Sequence, residues 1–322
     1  MEQALYGERG FYTTGGRAGR RGDFITSPEV GPLFGAVLAR AIDAWWGELG
    51  RPDPFTFVEA GAGPGTLARS ILAAAPEVLR EGALRYVAVE VSAEQRAGHP
   101  DGVISCAELP GDPFVGVVVA NELLDNLPFR LMVFDGGWRE AVVVDDGERY
   151  VEVLHPLSEP LPGVLPSRAP HGARAPIQDR AAAWVRDALG LLERGRLVVV
   201  DYAVARTAEL ALRPWREWLR TYRGHERGAH YLTAPGTQDI TTEVAVDQLV
   251  LAAGEPDALR SQAQFLQRWG IEELVDAGRA IWAEQAARPT LAAIAGRSRV
   301  REAEALLDPA GLGRFSVLEW VR

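Results

Sequence analysis

The sequence predicts an α/β protein with a doubly wound, mostly parallel sheet, and two patterns lead to this prediction. Apolar stretches at residues 55–59, 84–90, 115–120 and 196–202 alternate with helical stretches. The stretch 115–120 is continuously apolar, which is typical of a strand covered on both faces. In addition, residues 57–67 read FVEAGAGPGTL, so the first strand leads through alternating glycines into a helix. A strand, a glycine turn and a helix form the first half of a nucleotide-binding βαβ unit.

The composition is that of an ordinary globular protein, and it excludes several kinds of site. The chain has 322 residues, 47% hydrophobic and 24% charged, which fits one elaborated domain or two lobes. Its net charge of −10 argues against broad nucleic-acid binding, which needs a positive surface. Cys106 is the only cysteine, which excludes an internal disulfide and a zinc site built on cysteine pairs. The histidines show no metal-ligand spacing, so we expect no metal site.

The start of the chain and its hydropathy pattern predict a cytoplasmic protein. The sequence begins MEQA without a basic segment that leads into an apolar core, as a secretory leader would have. No stretch approaches the ~18 apolar residues that a membrane-spanning helix requires. The single cysteine also fits a reducing compartment. We therefore predict a cytoplasmic location and no membrane span.

The N-terminal part is predicted to be a long loop followed by a helix. Residues 6–28 are rich in Gly, Thr and Arg and show no helical or strand periodicity. Long loops in compact proteins are usually functional or disordered. Ser27 is predicted to be the N-cap of a helix that continues to Trp46. If the loop folded over a bound cofactor, Asp23 and Thr26 would contact it; a solvated basic loop is the alternative.

The glycine turn is predicted to admit a flat ligand. Gly61, Gly63 and Gly65 have no Cβ, so the backbone can adopt positive φ and contact a ligand directly. The dinucleotide fingerprint is Gly-x-Gly-x-x-Gly, whereas this turn reads Gly-x-Gly-x-Gly with Glu59 two residues before it. That spacing is more typical of methyltransferases that use S-adenosylmethionine, and Thr66 at the helix start joins the cofactor-binding candidates. A purely structural turn is the alternative.

Polar side chains recur where the predicted strands end. Those side chains are Glu59, Glu90, Asn121 with Glu122, and Asp201. Ligands of open parallel sheets bind at the carboxyl ends of the strands, so the recurrence favours a binding site. Glu90 follows the glycines by about one βαβ unit, where an acid can accept hydrogen bonds from both ribose hydroxyls; a solvated acid is the alternative. Glu59 is predicted to accept backbone N–H bonds from the turn or to face the cationic end of a methionine moiety.

Residues 121–128, NELLDNLP, are the second candidate for chemistry. Methyl transfer to nitrogen requires a well-oriented lone pair, and carboxylates can hold a cationic guanidinium with two hydrogen bonds. Glu122 and Asp125 are therefore candidate acceptor-binding residues, and Asn121 is a candidate for orienting the acceptor or contacting the cofactor. The alternative is a helix start that is stabilised by acids in its first turn.

The remaining segments predict additions to the sheet. Residues 131–153 alternate around turn sequences, which predicts a small antiparallel meander, and the Pro-rich stretch 155–176 is predicted to be irregular. Residues 205–245 are too aromatic for a solvated linker and are interpreted as a lid or substrate wall. His225 in this segment is a candidate catalytic residue, although a structural histidine is the favoured interpretation. Residues 313–321 predict a terminal antiparallel strand.

These segments divide the chain into four predicted parts. Glu108 belongs to the second of them, where a third strand or loop would pass an adenine, and it is a further cofactor-binding candidate. The parts are residues 1–50, an N-terminal loop and helix; 51–204, a core with a small β insertion at about 130–175; 205–262, a substrate-covering insertion; and 263–322, C-terminal helices and a final strand that complete the core.

The motifs together resemble those of the MidA-like family, which includes the mitochondrial complex I assembly methyltransferases. Residues 22–30, GDFITSPEV, followed by Phe34 and Gly35 are similar to the N-terminal signature of that family. The glycine turn and the stretch 121–128 resemble its cofactor turn and post-strand motif. The correspondence continues in order through LRTYRGH at 219–225, PG at 235–236, DIT at 239–241, QFL at 264–266 and GI at 270–271.

This resemblance implies a Rossmann-like class I methyltransferase with S-adenosyl-L-methionine as its cofactor and an insertion that covers the substrate. Eukaryotic members are implicated in symmetric dimethylation of an arginine in a complex I subunit, so an arginine-containing protein is the implied acceptor. The chain departs from the family at Ala62, where proline is usual, and at Ala203, where glycine is usual. Several basic N-terminal residues are also arginine rather than lysine. We expect cofactor binding to survive and the shape of the site to differ.

Two other functions stay open at this point, and a third is disfavoured. A small-molecule methyltransferase would have an aromatic insertion that encloses a sealed apolar pocket. A cofactor-binding assembly chaperone would have no turnover, and Glu122→Ala would then leave its function intact. A dehydrogenase is disfavoured by the glycine spacing, and titration with S-adenosylhomocysteine against NAD would decide between the two cofactors.

Overall fold

The computed structural model describes residues 1–14, 26–157, 163–224 and 226–322. Its strands are β1 (Phe55–Ala60), β2 (Leu84–Val89), β3 (Ile104–Cys106), β4 (Phe114–Asn121), β5 (Arg130–Phe134), β6 (Trp138–Asp145), β7 (Tyr150–His155), β8 (Arg174–Ile177), β9 (Leu192–Asp201), β10 (Ala203–Val204), β11 (Leu219–Arg223), β12 (Glu226–Arg227), β13 (Asp239–Thr242), β14 (Val244–Ala245), β15 (Ala258–Ser261) and β16 (Ser316–Val321). Its helices are α1 (Glu2–Tyr6), α2 (Ser27–Val30), α3 (Leu33–Glu48), α4 (Thr66–Ala74), α5 (Glu77–Arg80), α6 (Ala93–Arg96), α7 (Asp179–Gly190), α8 (Thr207–Ala211), α9 (Val246–Ala253), α10 (Gln262–Arg268), α11 (Ile271–Gln285) and α12 (Leu291–Leu307), with 3₁₀ turns at Leu124–Asn126, Trp215–Glu217 and Leu312–Arg314.

A central sheet of seven strands organises the described part of the chain, in the order β15-β16-β9-β4-β1-β2-β3. Strands β9, β4, β1, β2 and β3 run parallel, whereas β16 is antiparallel to β9 and β15 is antiparallel to β16. The predicted fold class is confirmed, including the antiparallel terminal strand. Strand β15 lies in the range predicted for the insertion, yet it is an edge strand of this sheet.

Helices cover both faces of the sheet, which explains why its strands are apolar throughout. On one face, α3, α4 and the C-terminal helices bury side chains such as Phe34, Trp45 and Phe265 against the sheet. On the other face, α7 and α9 bury Val185 and Leu249. The carboxyl ends of β1, β2, β4 and β9 therefore lie together at one edge that neither helical layer closes.

The first predicted helix is two helices, α2 and α3, separated at Gly31. A Cβ at Gly31 would lie 2.3 Å from the carboxyl carbon of Glu302, so this position has no room for a side chain. The same carboxylate accepts a hydrogen bond from the backbone N–H of Leu33 (2.9 Å) at the start of α3. Ser27 lies within α2 rather than at its N-cap, and its hydroxyl donates to Gln262 (2.8 Å).

A second, antiparallel sheet has the order β7-β6-β5-β8. Its first three strands form the meander that the sequence predicts. The Pro-rich stretch was expected to be irregular to residue 176, but it ends in β8, where Pro176 lies opposite Leu131 of β5. Ala175 and Ile177 are fully buried, so packing stabilises a strand that its composition disfavours.

The aromatic segment after β9 contains a small sheet of order β12-β11-β13. Trp218 and Ile240 from this segment share a buried cluster with Leu5 and Phe11 of the N-terminal segment. The indole N–H of Trp218 donates to the carbonyl oxygen of Leu210 (2.9 Å). The insertion and the N-terminus thus pack together beside the open edge of the central sheet.

Candidate active site

The glycine turn joins β1 to α4 with a left-handed backbone at three positions. Gly61, Gly63 and Gly65 have φ values of 72°, 53° and 78°, a region that side chains with a Cβ rarely adopt. The N–H groups of Gly61 and Ala62 donate to the carbonyl oxygen of Val89 (2.9 and 3.0 Å). The turn is therefore held against the end of β2, with its glycines open toward the sheet edge.

Glu90 fixes the far side of the turn. One carboxylate oxygen accepts the N–H of Gly63 (3.0 Å), and the other accepts the N–H of Ser92 (2.8 Å). The side chain is 7% exposed, so these backbone donors replace most of the water that the carboxylate would otherwise bind. Glu90 directly follows β2, at the position where the sequence predicts an acid that binds the ribose hydroxyls.

Glu59 has a different partner from the one predicted for it. Its carboxylate accepts a hydrogen bond from the hydroxyl of Tyr86 (2.5 Å), while the N–H of Gly63 goes to Glu90 instead. Burial raises the pKa of Glu59 to about 8, against the opposing effect of the Tyr86 hydrogen bond. The idea that Glu59 accepts backbone N–H bonds from the turn is therefore wrong; its second predicted role, facing a cation, stays a prediction.

Asn121 is the last residue of β4, and Glu122 follows it directly. The carboxylate of Glu122 accepts the N–H of Ser27 (3.2 Å) and the side-chain amide of Asn121 (3.2 Å). Burial raises the pKa of Glu122 to about 8, and the neighbouring Asp125 adds to the effect. Glu122 has a φ of 51°, which is uncommon for a residue with a Cβ and is one of the backbone strains that cluster at active sites. The Asn121 side-chain oxygen is buried and has no hydrogen-bond donor among the described residues.

Asp125 belongs to a buried network rather than to a helix start. It lies in the 3₁₀ turn Leu124–Asn126, where its carboxylate accepts hydrogen bonds from the hydroxyls of Tyr202 and Thr241. Burial raises the pKa of Asp125 to about 6, and these two hydroxyls oppose the shift. The turn itself is anchored by Asp201, whose carboxylate accepts the N–H groups of residues 124 and 125 (3.0 and 3.3 Å).

Asp239 extends this network to the N-terminal segment. Its carboxylate accepts hydrogen bonds from the Tyr12 hydroxyl (3.0 Å) and from the Asn126 side-chain amide (3.0 and 3.2 Å). The Tyr6 hydroxyl donates to the carbonyl oxygen of Asn126 (3.3 Å). Burial, with a further contribution from Asp125, raises the pKa of Asp239 to about 7. Three segments that are distant in sequence therefore meet at the NELLDNLP stretch.

A cavity of 400 Å³ lies at the edge where these groups meet, and we call it the acidic cavity. Its size lies within the range of small-molecule and cofactor sites. Five glutamates line it, and none of its described lining residues is Arg, Lys or His. The lining residues are Tyr6, Tyr12, Thr26, Pro28, Glu29, Glu59, Ala60, Gly61, Ala62, Gly63, Pro64, Thr66, Leu67, Val89, Glu90, Val91, Gln95, Ala107, Glu108, Leu109, Val119, Asn121, Glu122, Leu123, Asn126, Leu127 and Trp184.

Most of the candidates predicted from the sequence meet at this cavity. Its lining includes Glu59, Gly61, Gly63, Thr66, Glu90, Glu108, Asn121, Glu122 and Thr26. Gly65 and Asp125 lie behind the lining, the first as the N-cap of α4 and the second in the buried network. Asp23 and His225 fall outside the described residues.

Several aromatic and amide side chains of the wall are not among the residues that the sequence predicts. Tyr6, Tyr12 and Asn126 line the cavity, as does Trp184 of α7. A Tyr in the first residues of a chain has no local pattern that indicates a site. Asn126 lies in the NELLDNLP stretch, whose position after a buried strand could have singled it out.

The described ranges contain neither a metal-binding group of side chains nor a helix that could cross a membrane. No group of three or more His, Cys, Asp or Glu side chains there is placed to hold a metal ion. Among the same residues, no helix is both long and apolar enough to cross a membrane.

Comparison with known proteins identifies relatives over most of the chain. A family model described as an S-adenosyl-L-methionine-dependent methyltransferase matches residues 37–263. A structure of a Burkholderia thailandensis protein bound to S-adenosyl-homocysteine aligns with a TM-score of 0.82 at 29% identity, covering 100% of this chain and 86% of that one. The native structure of an uncharacterized Burkholderia thailandensis protein aligns with a TM-score of 0.80 at 28% identity, over 100% and 85% of the two chains.

The curated relatives carry a more specific name. The human protein arginine methyltransferase NDUFAF7, mitochondrial, is 29% identical over 82% of this chain and 67% of its own length. Its Drosophila melanogaster homologue is 26% identical over 74% of this chain, which spans 61% of that protein. These relatives are named as mitochondrial proteins, and this finding contradicts our prediction of a cytoplasmic location.

Proposed function

This chain belongs to the family of S-adenosyl-L-methionine-dependent methyltransferases, and we propose that it methylates an arginine side chain of a partner protein. The enzyme class and the cofactor follow from the family match and from the structural neighbour bound to S-adenosyl-homocysteine. The identity of the methyl acceptor is the part that we propose. The relatives named as protein arginine methyltransferases support it, and so does the charge of the acidic cavity.

The residues at the glycine turn fit the cofactor. A Cβ at Gly61 would lie 3.2 Å from the side chain of Leu123, which lines the same cavity, so the glycine keeps this wall open. The Glu90 carboxylate would bind the ribose hydroxyls, and Glu108 with Leu109 would border the adenine. When bound, S-adenosyl-L-methionine supplies a methyl group on a positively charged sulfur, which suits a cavity lined by acids.

The proposal that the acceptor is arginine rests mainly on the charge of the cavity wall. Five glutamates line the cavity, and no Arg, Lys or His among the described residues lines it with them. Of these glutamates, Glu29 and Glu122 are partly buried and form no ion pair with a described residue, so a cationic ligand would compensate for their loss of hydration. Guanidinium stays charged at any physiological pH and forms paired hydrogen bonds with carboxylates.

Glu122 is the residue best placed to act on the acceptor. Its pKa of about 8 is near the operating pH, which suits a general base. A guanidinium beside it would favour its carboxylate form. The carboxylate would then accept the proton that the guanidinium nitrogen releases as it is methylated. The unpaired side-chain oxygen of Asn121 offers a further acceptor for a guanidinium N–H.

Two contacts hold Glu122 in position for this role. The backbone N–H of Ser27 and the amide of Asn121 both donate to the same carboxylate oxygen, Oε1, so the rotamer is restrained at that oxygen. Side chains that are held in this way lose little entropy when a substrate binds. Asp125 has a supporting role in this proposal, because it lies behind the cavity lining and its Oδ2 accepts hydrogen bonds from Tyr202 and Thr241.

The test is to identify the methylated product. The protein is incubated with methyl-labelled S-adenosyl-L-methionine and cell extract, and labelled products are located by mass spectrometry. We expect label on arginine side chains of protein and little label with the Glu122→Gln variant. A glutamine at this position can still accept from Ser27 and Asn121, so the variant is matched in shape and hydrogen bonding.

Three results would contradict the proposal. Label found only in small metabolites would indicate a small-molecule methyltransferase. Label on lysine, histidine or carboxyl groups of protein would exclude arginine as the acceptor. Binding of S-adenosyl-homocysteine without any labelled product would favour a cofactor-binding chaperone.

A further inference from the structure

A second cavity lies on the insertion, against the small sheet that contains β11. Its volume is 230 Å³, and we call it the basic cavity. The lining residues are Trp215, Arg216, Leu219, Arg220, Thr221, Arg227, Gly228, Ala229, His230 and Tyr231. Nothing in the methyl-transfer chemistry uses any of them.

The charge of this cavity is opposite to that of the chain. Three arginines and a histidine line it, and its described lining contains no Asp or Glu. The protein as a whole has 44 acidic and 34 basic residues, so a wall with three arginines and no carboxylate is unexpected. Cations grouped in a concave surface raise the local concentration of anions.

Two of the three arginines have no carboxylate partner among the described residues. Arg220 pairs with Glu243 (3.3 Å), but Arg216 and Arg227 form no ion pair with any residue in the described ranges. The guanidinium of Arg216 lies 5.1 Å from the centre of the Trp215 ring, and Arg227 donates to the carbonyl oxygen of Arg216 (3.5 Å). Both guanidinium groups retain donors for an anion.

The aromatic wall of the basic cavity is held rigidly. Tyr231 stacks on His230 with ring centres 4.2 Å apart, and Trp215 meets both rings edge-on at 5.6 Å. The Tyr231 hydroxyl also contacts Arg174 (2.7 Å) and Glu152 of the second sheet. A preformed wall favours binding because little side-chain entropy is lost.

Gly228 keeps the floor of this cavity open. A Cβ there would lie 2.5 Å from the side-chain oxygen of Gln238 and 2.8 Å from the hydroxyl of Thr221. The Thr221 hydroxyl donates to the carbonyl oxygen of Ala229 (2.6 Å), and Gln238 accepts the N–H of Ala229 (3.0 Å). These hydrogen bonds fix the backbone that forms the floor of the cavity.

Strand pairing links the two cavities. Tyr222 of β11 lies opposite Asp239 of β13, and Thr221 lies opposite Ile240. Asp239 in turn binds Asn126, which lines the acidic cavity. The small sheet that holds the basic cavity therefore contacts, through Asp239, a residue that lines the acidic cavity.

We propose that the basic cavity binds a carboxylate side chain of the same partner protein whose arginine enters the acidic cavity. This inference rests on the proposed function, because it assigns a second subsite to that substrate. The enzyme then prefers arginines that have an Asp or Glu nearby in the partner's sequence. Arg216 and Arg227 bind this carboxylate, with Trp215 packing against the adjoining backbone.

The test uses synthetic peptides with a single arginine and a fluorophore, measured by anisotropy against enzyme saturated with S-adenosyl-homocysteine. One peptide series places a glutamate at two to ten residues from the arginine, and a matched series has glutamine there. We expect one spacing at which the glutamate peptide binds about 10-fold tighter, since an additional charge-assisted hydrogen bond is gained. The double variant Arg216→Gln, Arg227→Gln should abolish this preference.

Controls separate this inference from the proposed function. The exposed Arg149, on the β6–β7 connection, serves as a matched surface variant, and Arg149→Gln should keep the preference for glutamate. A peptide with glutamine in place of its arginine tests the acidic cavity alone. If that peptide binds as well as the parent while the glutamate preference persists, the arginine proposal fails and the basic subsite stands.

Several outcomes would overturn the basic subsite. The first is that the glutamate and glutamine peptides bind equally, or show no measurable binding, at every spacing. Survival of the preference in the double arginine variant is another. Tighter binding of a phosphoserine peptide than of the glutamate peptide, or displacement by millimolar inorganic phosphate, would assign the cavity to phosphate instead of carboxylate.

Discussion

The acidic cavity and the basic cavity differ in how their charged groups are held. In the acidic cavity, Glu59 and Glu90 are almost fully buried, and their hydrogen-bond donors come from Tyr86 and from backbone N–H groups. In the basic cavity, Arg216 and Arg227 are exposed and have no described carboxylate partner. Buried charges make strong, specific interactions at a cost in stability, whereas exposed charges contribute less to affinity.

This difference predicts different roles for the two cavities. The acidic cavity can supply a general base, because burial raises the pKa of Glu59 and of Glu122 to about 8. The basic cavity can select and steer a substrate, because its cations face water. Variants in the acidic cavity should therefore have larger effects than variants in the basic one, and the predictions below begin with the largest.

The largest effect is expected at Gly61. Gly61→Val would force a β-branched side chain into a φ of 72° and place it against Leu123 in the cavity wall. We expect the affinity for S-adenosyl-homocysteine, measured by calorimetry, to fall by about 100-fold or more, because backbone strain and steric exclusion add. Gly82→Val is the matched control, because Gly82 has a φ of 78° and open space around it. Equal loss of affinity in both variants would show that strain alone, and not the cavity, explains the result.

A smaller effect is expected at Glu90. Glu90→Gln keeps one acceptor oxygen but places an amide against the N–H of Gly63 or of Ser92. We expect the dissociation constant of S-adenosyl-homocysteine to rise about 10-fold, because a charge-assisted bond to the turn is lost. The neighbouring Glu94 is exposed, and Glu94→Gln should leave the constant unchanged. If both variants bind alike, Glu90 has no role in the cofactor site.

The pH dependence of stability tests whether the acids are truly buried. The folded protein raises the pKa of Glu59 and Glu122 to about 8 and that of Asp239 to about 7. It therefore binds more protons than the unfolded chain between about pH 4.5 and pH 8, and its free energy of unfolding falls as pH rises through this window. Thermal unfolding measured at intervals from pH 5 to pH 8.5 should show the melting temperature decreasing.

General charge repulsion in a chain of net charge −10 could also lower the stability as pH rises. The Glu122→Gln variant distinguishes this repulsion from the titration of Glu122. It should raise stability by about 2 kcal/mol at pH 8.5, with solvent screening allowed for, and by much less at pH 5. A melting temperature that rises with pH, or a variant whose pH profile parallels that of the wild type, would show that Glu122 titrates normally.

Much of the acidic cavity could be predicted from the sequence. Glu59 is the next-to-last residue of β1, Glu90 and Glu122 directly follow β2 and β4, and the carboxyl ends of parallel strands meet at one edge. The glycine spacing was equally informative, because the positive φ values at Gly61 and Gly63 are a local requirement of the turn. Local patterns therefore place the acids and the turn that line the acidic cavity.

The rest could not be predicted, because it depends on contacts between distant segments. The Tyr12 hydroxyl meets Asp239, which lies 227 residues further along the chain, and no local pattern predicts that pair. The sequence shows a carboxylate at Asp125 but not its direction, which the 3₁₀ turn sets toward Tyr202 and Thr241. The basic cavity was also missed, since its arginines are scattered among aromatic residues without a period.

The most direct measurement of the central claim compares turnover with cofactor affinity in Glu122→Gln. Initial rates are measured with labelled S-adenosyl-L-methionine and the protein acceptor identified from extract, and the affinity for S-adenosyl-homocysteine is measured by calorimetry. The account predicts that kcat falls by about 100-fold or more while the affinity changes by less than about 2-fold, as expected for loss of a general base. A variant that keeps a kcat close to that of the wild type would contradict the account.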